Sequence, residues 1–318
     1  MEAGRQIIMK AAYFICTDAG KAKVAPLVYE LLEKEGYLAE DAGFNFAGRK
    51  VSVYKNGGNE YYFAATDVSL CRDYTKYLPD LNKYFADCDM TAMVTWHEGE
   101  HAPDNVLTVH SLGDMASGNF GKASPRFMHN LLFGFEKNRK ELGLDDYFVS
   151  TEATHWSGAY MDGDNPALLV QYPVPMVDIE VGSNPESWQN QTAVLALMRT
   201  LFNVFDDDGL KLHNILCIGG VHFEPSFGEA ALASWDGQAF GVTHIMANQW
   251  LVSGAYENET GFERACKCVD AIDGGIEAIF IHDKLKGCYK DVARALAEKY
   301  GVPVFKHQKL REPASLGL

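Results

Sequence analysis

The sequence predicts an α/β protein of three layers (α/β/α), with helices on both faces of a mixed, mostly parallel sheet. Two patterns carry this prediction. Short β-branched and aromatic runs alternate with helical patterns of about ten to twenty residues. The runs also end repeatedly in Gly, His or a carboxylate, as strands do where α/β proteins build sites. With 318 residues, 47% of them hydrophobic, the chain can bury one large core. It reads as a single α/β domain over 1–318. Residues 255–318 form a candidate small basic C-terminal subdomain, beyond a softer joint at 248–261.

In chain order, Ala11-Ala-Tyr-Phe-Ile-Cys16 is a short apolar strand ending at Thr17-Asp18-Ala-Gly20. Residues 24–34 place Leu27, Leu31 and Leu32 at helical spacing. The runs at 51–54 and 61–65 flank Asn56-Gly57-Gly58-Asn59, a hairpin signal. Residues 77–86 read as a helix, and 92–96 and 106–110 as strands. Ser124-Pro125 opens a helix to 141, with Pro at its first position. Strands at 147–151 and 175–181 bracket the most reactive-looking stretch of the chain. Ser183 or Asn184 then caps one long amphipathic helix over 186–204. Further strands lie at 213–218, 241–245, 276–281 and 302–305, with helices at 263–272 and 289–299.

The net charge of −15 argues against broad, non-specific nucleic-acid binding. The charge is uneven. Residues 279–318 hold eight Lys and Arg against four acids, about +4, which leaves about −19 on the rest. The seven cysteines fall outside any CxxC pair and point to a reducing compartment. No apolar run approaches the roughly 18 residues of a membrane span, and 1–11 is too short to serve as a signal peptide. The expectation is a cytoplasmic protein with no obligate protein partner.

Two strand ends, one offering Glu152 and His155 and the other Glu180, would face one crevice. His97, His110, His222 and His244 occupy comparable positions, and in a parallel sheet such ends converge. Histidine and carboxylate together supply both zinc ligands and general acid–base groups. His97-Glu98-Gly99-Glu100-His101 matches HExxH and HxxEH formally. The preceding strand, Gly99 and Pro103 make it a loop, whereas those motifs need a helix. His97 stays a candidate through its position alone. Ser117-Gly-Asn-Phe-Gly121 and Gly219-Gly-Val-His-Phe-Glu-Pro225 are glycine turns whose amides could hold a phosphate or an oxyanion. No GxSxG elbow and no strand-end cysteine offers a covalent nucleophile.

These blocks, in order, resemble the D-aminoacyl-tRNA deacylases found in archaea and plants. They are His97, Leu107-Thr-Val-His110, Gly118-Asn-Phe-Gly-Lys-Ala123, Glu152-Ala-Thr-His155, residues 177–188, Gly219-Gly-Val-His222-Phe-Glu-Pro225 and Thr243-His-Ile245. The resemblance covers about 90–250. It departs at Trp156, where the family has a second histidine, at Val221, where it tends to Gly, and in a longer 112–117 segment. It implies a phosphorylase/hydrolase-like fold and hydrolysis of the ester between a D-amino acid and tRNA. On that reading His110, Glu152, His155 and His222 are catalytic. Gly118, Asn119, Gly219, Gly220, Glu224, Lys286 and Lys290 bind the substrate. The resemblance also implies zinc, with ligands among His97, His155, Glu180, His222 and His244, and tRNA carrying a D-amino acid as partner. The alternatives are a zinc-dependent amidohydrolase or aminopeptidase on a small peptide-like substrate, and a non-catalytic tRNA-binding relative.

Overall fold

The computed structural model describes residues 7–17, 24–99, 102–157 and 165–318. Asp18, Glu100, His101 and the remainder of the expected turn at 18–20 lie outside the described residues. The strands are β1 (Lys10–Cys16), β2 (Glu40–Phe46), β3 (Arg49–Asn56), β4 (Asn59–Thr66), β5 (Met90–Glu98), β6 (Asn105–Ser111), β7 (Gly113–Asp114), β8 (Asn119–Phe120), β9 (Phe148–Thr151) and β10 (Met176–Ser183). Then follow β11 (Lys211–Ile218), β12 (Ser234–Trp235), β13 (Gln238–Met246), β14 (Ala278–Ile281) and β15 (Val304–Lys306). The helices are α1 (Ala25–Lys34), α2 (Tyr74–Tyr84), α3 (Pro125–Glu141), α4 (Pro185–Gln189), α5 (Gln191–Leu201), α6 (Pro225–Ala231), α7 (Asn248–Ser253), α8 (Glu259–Asp270) and α9 (Gly287–Tyr300).

The α/β class is as expected, but the strands divide between two sheets. An eight-stranded sheet runs β2-β3-β4-β1-β5-β10-β6-β9, and a five-stranded one runs β12-β13-β11-β14-β15. Both are mixed. In the large sheet β1, β4, β5 and β10 are mutually parallel, while β6 runs antiparallel to β10 and carries β9 parallel to itself. The expected convergence of parallel strand ends therefore does not hold. His110 and Glu152 come to the centre of the sheet from the direction opposite to His97.

Period-two alternation explains the layers. Tyr13, Ile15, Ala92, Val94, Val109, Val177 and Ile179 face one core, shared with α1, α3 and α5. That core continues into the small sheet through Ile215, Cys217, Phe240 and Phe280. The opposite face of the large sheet starts apolar, with Phe14, Met93 and Met176 under α2. It turns polar one step further along each strand, at Thr95, Asp178 and Glu180. The apolar cover stops there and the site begins.

Two local expectations change. The long helix at 186–204 is broken at Asn190, whose side chain accepts from the amides of Thr192 and Ala193 and starts α5 as a new helix. Asn184 caps α4 in the same way, accepting from Ser187 N. The stretch at 248–261 contains α7, and its Trp250 ring lies 5.6 Å from that of His155 and 5.3 Å from that of His222.

Candidate active site

A crevice of about 690 Å³ opens where the polar face of the large sheet meets the loop after β11. Thr95, Asp178 and Glu180 form part of its lining, with Trp96, His97 and Gly99 from the end of β5 and Val221, His222 and Phe223 from the second sheet. No lysine or arginine is among the described lining residues. Beneath it, His97, His110, Glu152, His155, Asp178, Glu180 and His222 converge. Their donor atoms form three overlapping sets, each within 4.8 Å: His97–Glu152–His222, His110–Glu152–His155 and His110–Asp178–Glu180.

The hydrogen bonds determine where the imidazole protons sit. His110 Nδ1 lies 3.1 Å from the carbonyl of Ser111, and His155 Nδ1 lies 2.9 Å from that of Ala153. A carbonyl only accepts, so both Nδ1 atoms donate, and in the neutral ring the lone pair then sits on Nε2. His97 Nδ1 is 2.8 Å from Ser183 Oγ, whose own proton goes to the carbonyl of Pro103. His97 therefore donates to the serine, and its Nε2 also keeps a lone pair. That Nε2 is 3.4 Å from Glu152 Oε2, and His110 Nε2 is 3.5 Å from Glu180 Oε1. Lone pairs facing carboxylates at such distances repel unless a proton or a cation lies between them.

Two further observations point the same way. Glu152 Oε1 and His110 Nε2 are buried without a hydrogen-bond partner, and orphaned buried atoms of this kind call for a missing water or ion. Three buried carboxylates also face the cluster without a Lys or Arg among the described lining. The donor set of imidazole nitrogen and carboxylate oxygen suits zinc, and ligating histidines that anchor Nδ1 on a carbonyl follow the usual outer-shell pattern. The residues present fit a bound metal.

Burial dominates the electrostatics. It lowers His97, and it lowers His155 well below the ordinary range, with the nearby His110 acting in the same direction, so both rings are neutral at pH 7. Burial raises Asp178. Burial, then Asp178 and Glu152, raise Glu180 well above the carboxylate range. For Glu152 burial opposes ionisation, but the hydrogen bond from His222 and the positions of His110 and His97 outweigh it and hold the carboxyl below its usual range. A cation at the cluster would favour the charged form of all three acids.

His222 differs from the other three histidines. Its Nε2 donates to Glu152 Oε2 at 2.6 Å, and its side chain is 31% exposed at the crevice wall. The lone pair therefore sits on Nδ1, in a ring oriented by a buried carboxylate.

The remaining expected site residues lie elsewhere. His244 is enclosed: Nδ1 meets Thr154 Oγ1 at 3.1 Å and Nε2 meets the carbonyl of Gly121 at 3.2 Å, which leaves no nitrogen for a metal. Gly118 backs onto Arg264, its amide donates to Asp114 O, and Asn119 bonds Ser117. The Gly219 amide donates to Met246 O. Glu224 accepts from Ser226 Oγ and from the amide of Val221, and stands 3.7 Å from His282. An amide already donating to a carbonyl is not available to an oxyanion, so neither Gly118 nor Gly219 supplies one. Gly220 packs against Glu224, with its carbonyl taken by Asn248 N, and lines no part of the described crevice. Lys286 caps α9 and Lys290 lies in its first turn, and neither lines the described crevice.

Asp178, a member of the cluster, and Ser157 beside it were not among the expected residues. Asp178 accepts from Ser157 Oγ at 2.9 Å and from Thr95 Oγ1 at 2.5 Å. The alternation Val177-Asp-Ile-Glu-Val181 already placed Asp178 on the face of Glu180. Ser157 had no comparable signal. Trp156, the departure from the family pattern, is buried away from the crevice, edge-on to Tyr74 in the core under α2.

The D-aminoacyl-tRNA deacylase family model matches residues 84–305, which hold every member of the cluster. The chain belongs to the D-aminoacyl-tRNA deacylase family. A D-aminoacyl-tRNA deacylase of Haloarcula marismortui is 27% identical over 202 residues, 57% of this chain but 40% of the relative. One of Pyrococcus abyssi is 26% identical over 205 residues, 63% of this chain and 67% of the relative. The matched part thus spans less than half of the Haloarcula protein. A crystal structure of a conserved protein of unknown function shares the fold, with a TM-score of 0.72 at 20% identity over 97% of this chain and 98% of the other. Trp156 belongs to none of the three donor sets.

Proposed function

We propose that this chain hydrolyses the ester joining a D-amino acid to the terminal adenosine of tRNA, releasing both, and that it does so in the cytoplasm around a zinc ion. The carrying observation is the cluster: neutral imidazoles and buried carboxylates converge on one point of an open crevice, in a chain of this family. The seven free cysteines suit a reducing compartment. Among the described residues no helix is long and apolar enough to cross a membrane.

His110, Glu152 and His155 would hold the ion, with Asp178 and Glu180 as a second carboxylate side sharing His110. Zinc, when bound there, supplies Lewis acidity toward an ester carbonyl and its attacking water. The protein's own contribution is proton transfer. His222 Nδ1 takes a proton from water as that water attacks the carbonyl carbon. Glu152 holds the ring and stabilises the imidazolium. The same proton then passes to the departing ribose oxygen, which leaves the carboxylic acid and tRNA. An aminoacyl ester is activated enough for water to attack directly, so no covalent nucleophile is required.

The test is deacylation of D- and L-aminoacyl-tRNA, with elemental analysis of the pure protein. Release of the D-amino acid, zinc in the protein and a loss of about 100-fold or more in His155→Ala are expected. A wild-type chain inert toward D-aminoacyl-tRNA overturns the reading. Near-normal activity in His155→Ala overturns the assignment of the site.

A further inference from the structure

On the reading that tRNA is the substrate, an acidic protein must find somewhere to hold a polyanion. Most of the basic residues at 122–140 are paired with acids, while Lys137 on α3 is exposed with no acid partner among the described residues. Lys122 pairs with Asp273, Arg126 with Asp208, and Arg139 and Lys140 with Glu136. Near the C-terminus, Arg294, Lys309 and Arg311 pair with Asp291, Glu312 and Glu229. Lys290 gives its Nζ to the carbonyl of Asp283 and so braces its own loop.

Lys284, Lys286 and Lys306 differ from these partnered residues. All are exposed, and among the described residues none has an acid or carbonyl partner. They also lie together. Lys306 closes β15 in register with Ile281, the last residue of β14, and Lys284 and Lys286 follow on the loop into α9. The amide of Asp283 on that loop donates to His307 Nδ1, and the His282 and His307 rings stack at 4.3 Å, which fixes the two strand ends to each other. Asp283 on the same loop is exposed, and its carboxylate accepts from Gln308 Nε2.

This edge adjoins the crevice through one loop. A Cβ on Gly219 would come within 2.9 Å of His282 Cβ and 3.3 Å of Leu285, and two residues on Val221 lines the crevice mouth at 59% exposure. We infer that Lys284, Lys286 and Lys306 form the track that holds the phosphates of the 3′-terminal, single-stranded nucleotides of tRNA. The esterified adenosine then passes over Val221 and Phe223 into the crevice. The position is a built one, at the carboxyl ends of adjacent parallel strands, where α/β sheets present ligands.

The experiment compares the wild type with Lys284→Gln/Lys286→Gln/Lys306→Gln. The readouts are binding of uncharged tRNA across a salt series, and hydrolysis of both D-aminoacyl-tRNA and a minimal D-aminoacyl-adenosine ester. The triple variant should bind tRNA about tenfold or more weakly at low salt. Its slope of log affinity against log salt should be shallower by about 2, because each single-strand phosphate that a lysine neutralises adds ~0.7 to the slope. Its hydrolysis of the adenosine ester should match wild type. An unchanged slope and affinity in the variant overturns the track, even if the wild type is an active deacylase. A wild type that binds tRNA through these lysines but hydrolyses neither ester overturns the proposed activity and leaves the track standing. Lys122→Gln/Lys140→Gln should leave the slope unchanged, and a weakening there equal to the triple variant's would overturn the placement.

Discussion

His155 and His244 are both deeply buried, both neutral at pH 7, and both bonded within the segment Ala153–His155. They differ in what surrounds the ring. His244 donates from Nε2 to Gly121 O. It accepts at Nδ1 from Thr154 Oγ1, which in turn accepts from the amide of Ile245. That circuit is closed. His155 gives Nδ1 to the carbonyl next to Thr154, and its ring belongs to a donor set with His110 and Glu152 whose atoms all lie within 4.8 Å of one another. Burial and strand-end position are the same in both cases. A closed hydrogen-bond circuit marks a structural histidine, and a place among converging donor atoms marks a candidate ligand.

The sharpest way to break this comparison is Glu152→Gln, which removes the charge on which the imidazoles converge but keeps the shape and the acceptor for His222. Activity should fall by about 10²–10⁴-fold, and bound zinc should fall with it, while far-UV circular dichroism stays native. Wild-type turnover in this variant would show that the converging lone pairs are not the catalytic centre.

Much of that centre was legible. His97, His110, Glu152, His155, Glu180 and His222 all follow from strand-end placement and ordered spacing. Asp178 was equally legible, because two-residue periodicity forces it onto the face of Glu180. So was the reversed direction of β6, since the link over 99–104 is too short for a parallel crossover, which needs a dozen or more residues. What could not be read were the partners that close a circuit. Nothing in Thr243-His-Ile245 announces a carbonyl at Gly121 or a hydroxyl at Thr154, both remote in sequence. The same holds for Glu224, whose partners Ser226 and the amide of Val221 depend on how the turn after β11 folds. The division into two sheets was also hidden, because each strand looks alike whichever sheet it joins.

Trp156 tests the comparison from the apolar side. It follows His155 directly yet points into the core beneath α2, with Tyr74 edge-on at 5.5 Å. Trp156→His restores the family's residue type but replaces a large buried ring with a smaller polar one. A stability loss of about 3 kcal/mol or more is expected in chemical denaturation, with zinc content and turnover of the folded protein unchanged. A gain in activity would mean that this position reaches the cluster after all.

His244→Gln makes the smallest change and bears most directly on the distinction. Breaking the closed circuit should cost about 1–3 kcal/mol at neutral pH, while zinc binding and turnover stay near wild type. The pH dependence supplies a second readout. Burial holds folded His244 at about 4, below its ordinary 6.5. Between those values the unfolded chain binds more protons than the folded one, so stability rises with pH there. The contribution is complete above about pH 6.5 and lost as pH falls toward 4, with a span of about 3 kcal/mol. Urea denaturation of the wild type at pH 7.5 and pH 5 should show that loss, and in His244→Gln it should shrink. If His244→Gln instead loses its metal and keeps the wild-type pH slope, the closed circuit is not what separates the two kinds of histidine.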